Sequence, residues 1–177
     1  MSDVVIREIR NGAMWLSINR PERRNALNPD VFRLLMQGLD DAMAEQARAV
    51  VLTGVGAKAF CAGADLQPGQ SFNYDTSRPN TPFGLLLRKV RQLHIPLVAR
   101  VNGACVAGGM GLLAMCDMAV AARTATFALP EVNIGLFPAQ VLSVLQNLVG
   151  PRHLAEMCIT GEPVDAQRAE RIGLINY

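Results

Sequence analysis

Apolar and polar positions along this chain fall into short runs, each with its own period. Residues 4–9 and 13–19 read as two strands joined by a tight turn at Asn11-Gly12, the strongest short signal for a hairpin. A polar, arginine-rich loop follows over 20–27. Asn28 is placed to cap a helix with Pro29 in its first position. Val31, Leu34, Leu35, Leu39, Ala42 and Met43 then recur at helical spacing, which predicts a helix ending near Gln46. Residues 49–53 predict a buried strand. Helical period returns over 83–93, with Arg88, Lys89 and Arg91 facing out, and 96–100 predicts a second buried strand. Residues 117–122 read as a further strand and 126–129 as a short extended piece. A loop with two prolines, 130–138, leads to an apolar helix marked by Val141, Leu142, Val144, Leu145, Leu148 and Val149, ending at Gly150-Pro151. Another helix is predicted over 151–160, and Asp165 caps a last one through Arg171. A hairpin, then alternating helices and strands, then helices is the pattern of an α/β fold with largely parallel connections.

The joint between the 96–100 strand and the apolar helix that begins at Leu112 is unusual. Residues 101–111 carry Gly103, Gly108, Gly109 and Gly111. Glycines at a strand-to-helix switch let the backbone turn without Cβ clashes, and they leave the first helical N–H groups unpaired. That specifies a site for negative charge. The competing reading is close helix packing, in which glycine only makes room. A second loop of similar design, Cys61-Ala62-Gly63-Ala64, follows the 49–53 strand. Just before it, Gly54, Gly56 and Ala59 spell G-x-G-x-x-A, a permitted form of the dinucleotide fingerprint of nicotinamide-dependent enzymes. That fingerprint requires a helix starting inside it. Here the chain runs to Gln67-Pro68-Gly69-Gln70 and a polar segment with Pro79, through which no helix persists. Residues 71–81 are the most polar and least periodic stretch, either a mobile lid or a plain surface connection.

Composition narrows the classes. The 177 residues fit a single domain, 1–177, and with half of them hydrophobic and 18% charged they support a sizeable core. A net charge of +2 with scattered Lys and Arg argues against nucleic acid. The N-terminus has no signal layout, and no apolar stretch is long enough to span a bilayer. Cys61, Cys105, Cys116 and Cys158 form no CxxC pair and sit among apolar residues. They read as reduced, buried thiols of a cytoplasmic protein, without a metal. His94 and His153 are isolated from each other and read as structural.

Both glycine-bearing loops follow strands, where ligands of α/β folds bind. If they meet, two backbone N–H groups converge on one oxygen. In such an oxyanion hole one donor is typically worth roughly 3 kcal/mol of transition-state stabilisation. No G-x-S-x-G elbow supports a hydrolase nucleophile, and the cysteines lack a histidine partner. Glu131, between Leu129-Pro130 and Val132, is the candidate proton carrier, since burial raises a carboxyl toward the range of a general base. An exposed or helix-capping glutamate is the competing reading.

Six stretches, taken in order, resemble the enoyl-CoA hydratase/isomerase (crotonase) family over essentially the whole chain. They are Asn19-Arg20-Pro21 with Asn25-Ala26-Leu27, Ala59-Phe60-Cys61-Ala62-Gly63-Ala64-Asp65-Leu66, Val101-Asn102-Gly103 with Gly108-Gly109, Cys116-Asp117, Pro130-Glu131 with Gly135, and Thr160-Gly161. The resemblance implies repeated ββα units wound into a superhelix with two roughly perpendicular sheets, followed by helices. It implies an acyl-CoA thioester as ligand, no cofactor beyond the coenzyme A of the substrate, and a trimer or dimer of trimers. By position it implies that the N–H groups of Ala62 and Gly108 hold the thioester oxygen as enolate charge develops, aided at Gly108 by the helix N-terminus. Arg24, Ala26 and Leu27 would lie along the coenzyme A, Arg24 near a phosphate, and Gly63, Ala64, Asp65, Leu66 and Gly109 would line the same groove.

Two departures bear on function. Hydratases of that family usually carry two glutamates. The second falls at Glu131, but the first falls at Gly111. Adding water is easiest with two carboxylates, whereas shifting a double bond needs one that removes a proton and returns it elsewhere. The chain thus resembles a single-glutamate branch, and isomerase-type proton transfer is favoured over hydration. A single-carboxylate hydratase and a non-catalytic acyl-CoA-binding or assembly protein are the alternatives. Family members also usually continue past the Tyr177 position with helices that cover the acyl pocket. The chain is expected to lack them, and a homotrimer or hexamer is expected only with that part present.

Overall fold

The computed structural model describes residues 3–65 and 80–177. Strands β1 (Val5–Arg10) and β2 (Ala13–Ile18) pair antiparallel about Asn11 and Gly12. The φ angles there, 51° and 77°, are the left-handed pair that a two-residue hairpin turn requires. Helix α1 (Pro29–Ala44) begins where the sequence places it: Asn28 Oδ1 accepts from the Val31 N–H at 2.9 Å, with Pro29 at the first position. Val31, Leu35, Leu39 and Ala42 form its buried face. It stops at Ala44, just short of the expected Gln46, which adopts a left-handed φ of 55°.

From β3 (Ala49–Gly54) the chain repeats one unit. Each repeat enters a first sheet, then a second, then returns through a helix. β3, β4 (Ala59–Cys61) and α2 (Pro82–Val90) are followed by β5 (Leu97–Val101), β6 (Ala104–Val106) and α3 (Gly108–Ala114). β7 (Met118–Ala121) and β8 (Thr126–Ala128) start the unit again. The first sheet has the order β1-β2-β3-β5-β7 and the second β4-β6-β8-β9, with β9 at Val164–Asp165. Neighbours from β2 to β7 and from β4 to β8 are parallel, and β9 closes the second sheet antiparallel. Parallel neighbours require crossover connections, and α2 and α3 lie on those crossovers. β4 and β6 were not anticipated, because three residues are too few to carry a period of two.

Helices α4 (Ala139–Leu145), α5 (Pro151–Thr160) and α6 (Ala166–Arg171) complete the described chain. α4 ends at Leu145, before the expected Gly150, and Gly150 instead caps α5. Asp165 caps α6, accepting from the Arg168 N–H at 2.7 Å. The expected 130–138 loop contains a 3₁₀ turn, Pro130–Ile134, ended by left-handed Gly135. One hydrophobic cluster joins both sheets to the helices: Leu16, Leu52 and Leu97 of the first sheet, Phe60, Cys105 and Phe127 of the second, and Leu35, Met110 and Leu113 of α1 and α3. No helix among the described residues is long and apolar enough to cross a membrane.

Candidate active site

Because β4, β6 and β8 are parallel neighbours, their carboxyl ends share one edge of the second sheet. Ala62-Gly63-Ala64 leaves β4 there, Ala107-Gly108 leaves β6, and the 3₁₀ turn with Glu131 follows β8. The first two loops touch. A Cβ on Gly63 would lie 2.8 Å from the Ala107 Cβ and 3.1 Å from the Gly108 nitrogen, and φ there is +88°, so only glycine fits. A Cβ on Gly108 would lie 3.8 Å from the Ala64 nitrogen. Ala107 holds φ 51° and ψ −119°, a conformation that costs a residue with a Cβ about 1–3 kcal/mol. Its N–H bonds to the Ala128 carbonyl at 3.0 Å and its carbonyl accepts from Met110 at 2.9 Å, which keeps it there. The Gly108 N–H is the first of α3 and has no intrahelical partner.

The free donor from the β4 loop is Ala64, not Ala62. The Ala62 N–H donates to the Arg24 carbonyl at 3.0 Å and is already committed within the protein. Ala64 lies in a parallel bridge with Leu27, in which Leu27 N–H donates to Gly63 O at 2.7 Å and Asp65 N–H to Leu27 O at 2.9 Å. Successive backbone groups in an extended segment point to opposite sides. The bridge therefore uses the groups flanking Ala64 and turns its own N–H away, without a partner among the described residues. Ala64 is exposed and Gly108 partly exposed, so this pair is open to a ligand oxygen. Leu66 lies outside the described residues, as does most of the 71–81 segment.

A polar framework behind these loops carries roles that spacing alone did not assign. Buried Asn25, at φ 56°, accepts from the Arg20 N–H at 3.0 Å and donates to the carbonyls of Ala59 at 2.7 Å and Val55 at 3.1 Å. Asn102 Oδ1 accepts from the Gly54 N–H at 3.1 Å, and its Nδ2 donates to Gly56 O at 2.7 Å. These bonds occupy the glycine motif at 54–59, and β3 passes into β4 without a helix, so the motif is no dinucleotide loop. Arg20 reaches the Ala26 carbonyl at 2.6 Å and the Asp65 carboxylate at 2.5 Å, with side chains only 13% and 11% exposed. Asp65 thus holds the loop in shape through Arg20. Ala26 and Leu27 are buried, whereas Arg24 is exposed, at the first of the loop's two left-handed residues. Gly109 turns out to be a packing residue, since a Cβ there would lie 2.3 Å from the Cys61 carbonyl oxygen.

Glu131 is half-buried, and its Oε2 is buried with no hydrogen-bond partner among the described residues. Burial pushes its carboxyl above the ordinary glutamate value, with its own backbone N–H pulling weakly the other way. Helix α5 packs on this turn: burial, and then the Glu131 charge, raise the Cys158 thiol. The other three cysteines are buried, Cys61 being pushed up to about 12 by burial, so these thiols stay un-ionised near neutral pH. Cys158, expected to be buried, is only partly so. A cavity of about 430 Å³ lies at the C-terminal end of α3 between Leu87, Met115, Val144 and Leu148 and is lined by none of the site groups. The candidate site therefore comprises two N–H groups unpaired among the described residues and a carboxyl raised by burial, on loops at one sheet edge. Such a set can stabilise negative charge on an oxygen and move a proton nearby.

The two-sheet ββα architecture is the crotonase fold. A solved structure of enoyl-CoA hydratase from Mycobacterium smegmatis superposes with a TM-score of 0.89 at 36% identity, covering 98% of this chain and 68% of that one. The enoyl-CoA hydratase/isomerase family model matches residues 8–177. A Thermus thermophilus protein with a provisional enoyl-CoA hydratase name is 41% identical over 167 residues, 90% of this chain and 64% of that protein. The short-chain-enoyl-CoA hydratase of Clostridium acetobutylicum is 34% identical over 178 residues, 97% of this chain and 67% of that protein. The chain spans about two thirds of the length of the relatives it matches. It belongs to the enoyl-CoA hydratase/isomerase family.

Proposed function

We propose that this chain binds an acyl-CoA thioester, holds its carbonyl oxygen between the N–H groups of Ala64 and Gly108, and moves a Cα proton with Glu131. The observation that carries this reading is the buried, unpartnered Oε2 of Glu131 on the sheet edge that bears the two free donors. A buried carboxylate oxygen without a partner is costly, and a substrate C–H is the group it would work on. Removing the C2 proton of a 3-enoyl thioester sends charge to the carbonyl oxygen, where the two N–H groups stabilise it. Glu131, now protonated, returns that proton at C4, and the double bond moves from C3=C4 to C2=C3. Nothing is gained or lost, and no metal or organic cofactor is required beyond the coenzyme A that arrives with the substrate. Exposed Arg24 suits a phosphate of that group. The four free cysteines suit a reducing cytoplasmic setting, and a trimeric assembly is part of the same proposal.

The test is Glu131→Gln, which keeps the shape and removes the base. Isomerisation of a 3-enoyl-CoA is expected to fall on the order of 10²–10⁴-fold with binding of the thioester retained. Unchanged turnover removes Glu131 from the reaction, and binding without turnover in the unaltered chain favours a non-catalytic acyl-CoA-binding protein. The names of the relatives favour a second reading, hydration of a 2-enoyl-CoA by the single carboxylate. Faster consumption of the 2-enoyl than of the 3-enoyl thioester would select it.

A further inference from the structure

Gly111 is buried in the middle of α3, and the space beside it is already filled. A Cβ there would lie 2.4 Å from Phe83 Cζ, 2.7 Å from Phe83 Cε2 and 3.4 Å from Val141 Cγ2. The ring edge of Phe83 thus stands where a side chain at 111 would begin. Phe83 cannot easily swing aside. It sits in the first turn of α2, 6% exposed, with Phe32 edge-on at 6.5 Å. Thr81 caps that turn by accepting from the Gly84 N–H at 3.1 Å and also accepts from Gln140 of α4 at 2.9 Å.

Position 111 matters because of where it points. It lies one turn beyond Gly108, and residues three apart share a helix face. Helical side chains lean toward the N-terminus, over the preceding turn. A side chain at 111 would therefore lean toward the Gly108 N–H, the donor assigned above to the thioester oxygen. Hydration needs a group to hold water while its oxygen bonds to C3, its proton leaves, and a proton is delivered to C2. Glu131 alone supplies one such group, and 111 is a position of α3 that shares the face of Gly108.

We propose that Phe83 is the specificity-determining residue of this site: its ring fills the space of a side chain at 111, so no second carboxylate with its water enters, and the site is confined to proton transfer. The proposal rests on the enolate reading of Ala64, Gly108 and Glu131. Its test compares the unaltered 177-residue chain with Gly111→Glu, Phe83→Ala and the double variant, for isomerisation of a 3-enoyl-CoA, hydration of a 2-enoyl-CoA and thermal melting. The double variant is expected to gain hydration on the order of 10²-fold, the lower range for one positioned acid–base group. Gly111→Glu alone is expected to melt lower and gain nothing, because the ring blocks the new side chain. Isomerisation without any gain of hydration in a folded double variant overturns this proposal alone, as does an equal gain from Gly111→Glu by itself. No isomerisation by the unaltered chain overturns the single-carboxylate reading and this proposal with it. A second measurement needs no turnover: Gly111→Ala is expected to lower the melting temperature in the unaltered chain and clearly less beside Phe83→Ala. Equal losses in the two backgrounds overturn the contact on which the proposal stands.

Discussion

Glu131 keeps one carboxyl oxygen buried and unpaired, so both its chemistry and its cost depend on pH in a direction that can be worked out. Burial raises its pKa above the ordinary glutamate value of 4.5, which means that the folded state binds the proton more tightly than the unfolded chain. As a base it acts only when ionised. The rate of enolate formation is therefore expected to rise with pH through the raised value, its ascending limb displaced above that of a solvated glutamate, as a pH–rate profile on a 3-enoyl-CoA would record. Stability runs the opposite way. Below the unfolded pKa the carboxyl is neutral in both states and costs nothing; as pH climbs through the folded value, the folded state loses stability relative to a neutral side chain. Glu131→Gln should therefore melt close to the unaltered chain near pH 4 and above it near pH 8. A melting difference that stays flat across that window would mean that Glu131 is not held in a dehydrating site.

At the scale of elements, the site depends on loops pinned by side chains rather than on strand pairing. The 20–27 loop has a left-handed pair at Arg24 and Asn25, and Arg20 ties its end to Asp65 on the β4 loop. Removing one partner of an ion pair so little exposed strands the other, whereas removing both can be nearly neutral. Asp65→Ala is expected to cost about 3–5 kcal/mol in urea unfolding and to weaken thioester binding, since the Leu27–Ala64 bridge loses its brace. Arg20→Met with Asp65→Ala should recover much of the stability. A double variant as unstable as the sum of the two singles would show that Arg20 and Asp65 act independently. What the sequence revealed here follows from distance along the chain. The α1 cap was readable, because Asn28, Pro29 and the apolar period lie in one segment. Which N–H of the β4 loop is left free was not readable, because the choice between Ala62 and Ala64 depends on bonds to Arg24 and Leu27, far away in the chain. Phe83 against Gly111 has the same character: Gly111 stands out in the sequence, but the ring that fills its space does not, because Phe83 lies far from it along the chain.

On the scale of the whole molecule, the two sheets are built very differently. The strands of the first run to six residues, as in β1, β2 and β3, whereas β4, β6 and β8 have three each. The second sheet, which carries the site, has too little pairing to stand by itself. Its order comes from fully buried Phe60 and Phe127, from Asn102 bridging to the β3–β4 turn, and from a hydrophobic cluster continuous with the first sheet. The alternation of each ββα unit between sheets makes that sharing unavoidable, since every crossover places one strand in each. This is also why the α/β class was readable from the order of elements while the second sheet was not: its strands exist through contacts, not through period. The consequence is cooperative. Trp15, the single tryptophan, reports on β2 in the first sheet, with the Arg10 guanidinium 5.0 Å from its ring centre. Its fluorescence and the loss of helical circular dichroism should follow one urea transition with a common midpoint, because neither sheet has a core of its own to hold it folded after the other is lost. Phe127→Ala, a change confined to the second sheet, is then expected to move both probes together by about 3–5 kcal/mol. If the Trp15 transition stayed in place while the circular dichroism lost amplitude early, the two sheets would be separate folding units and the site would rest on a weaker scaffold than the shared core implies.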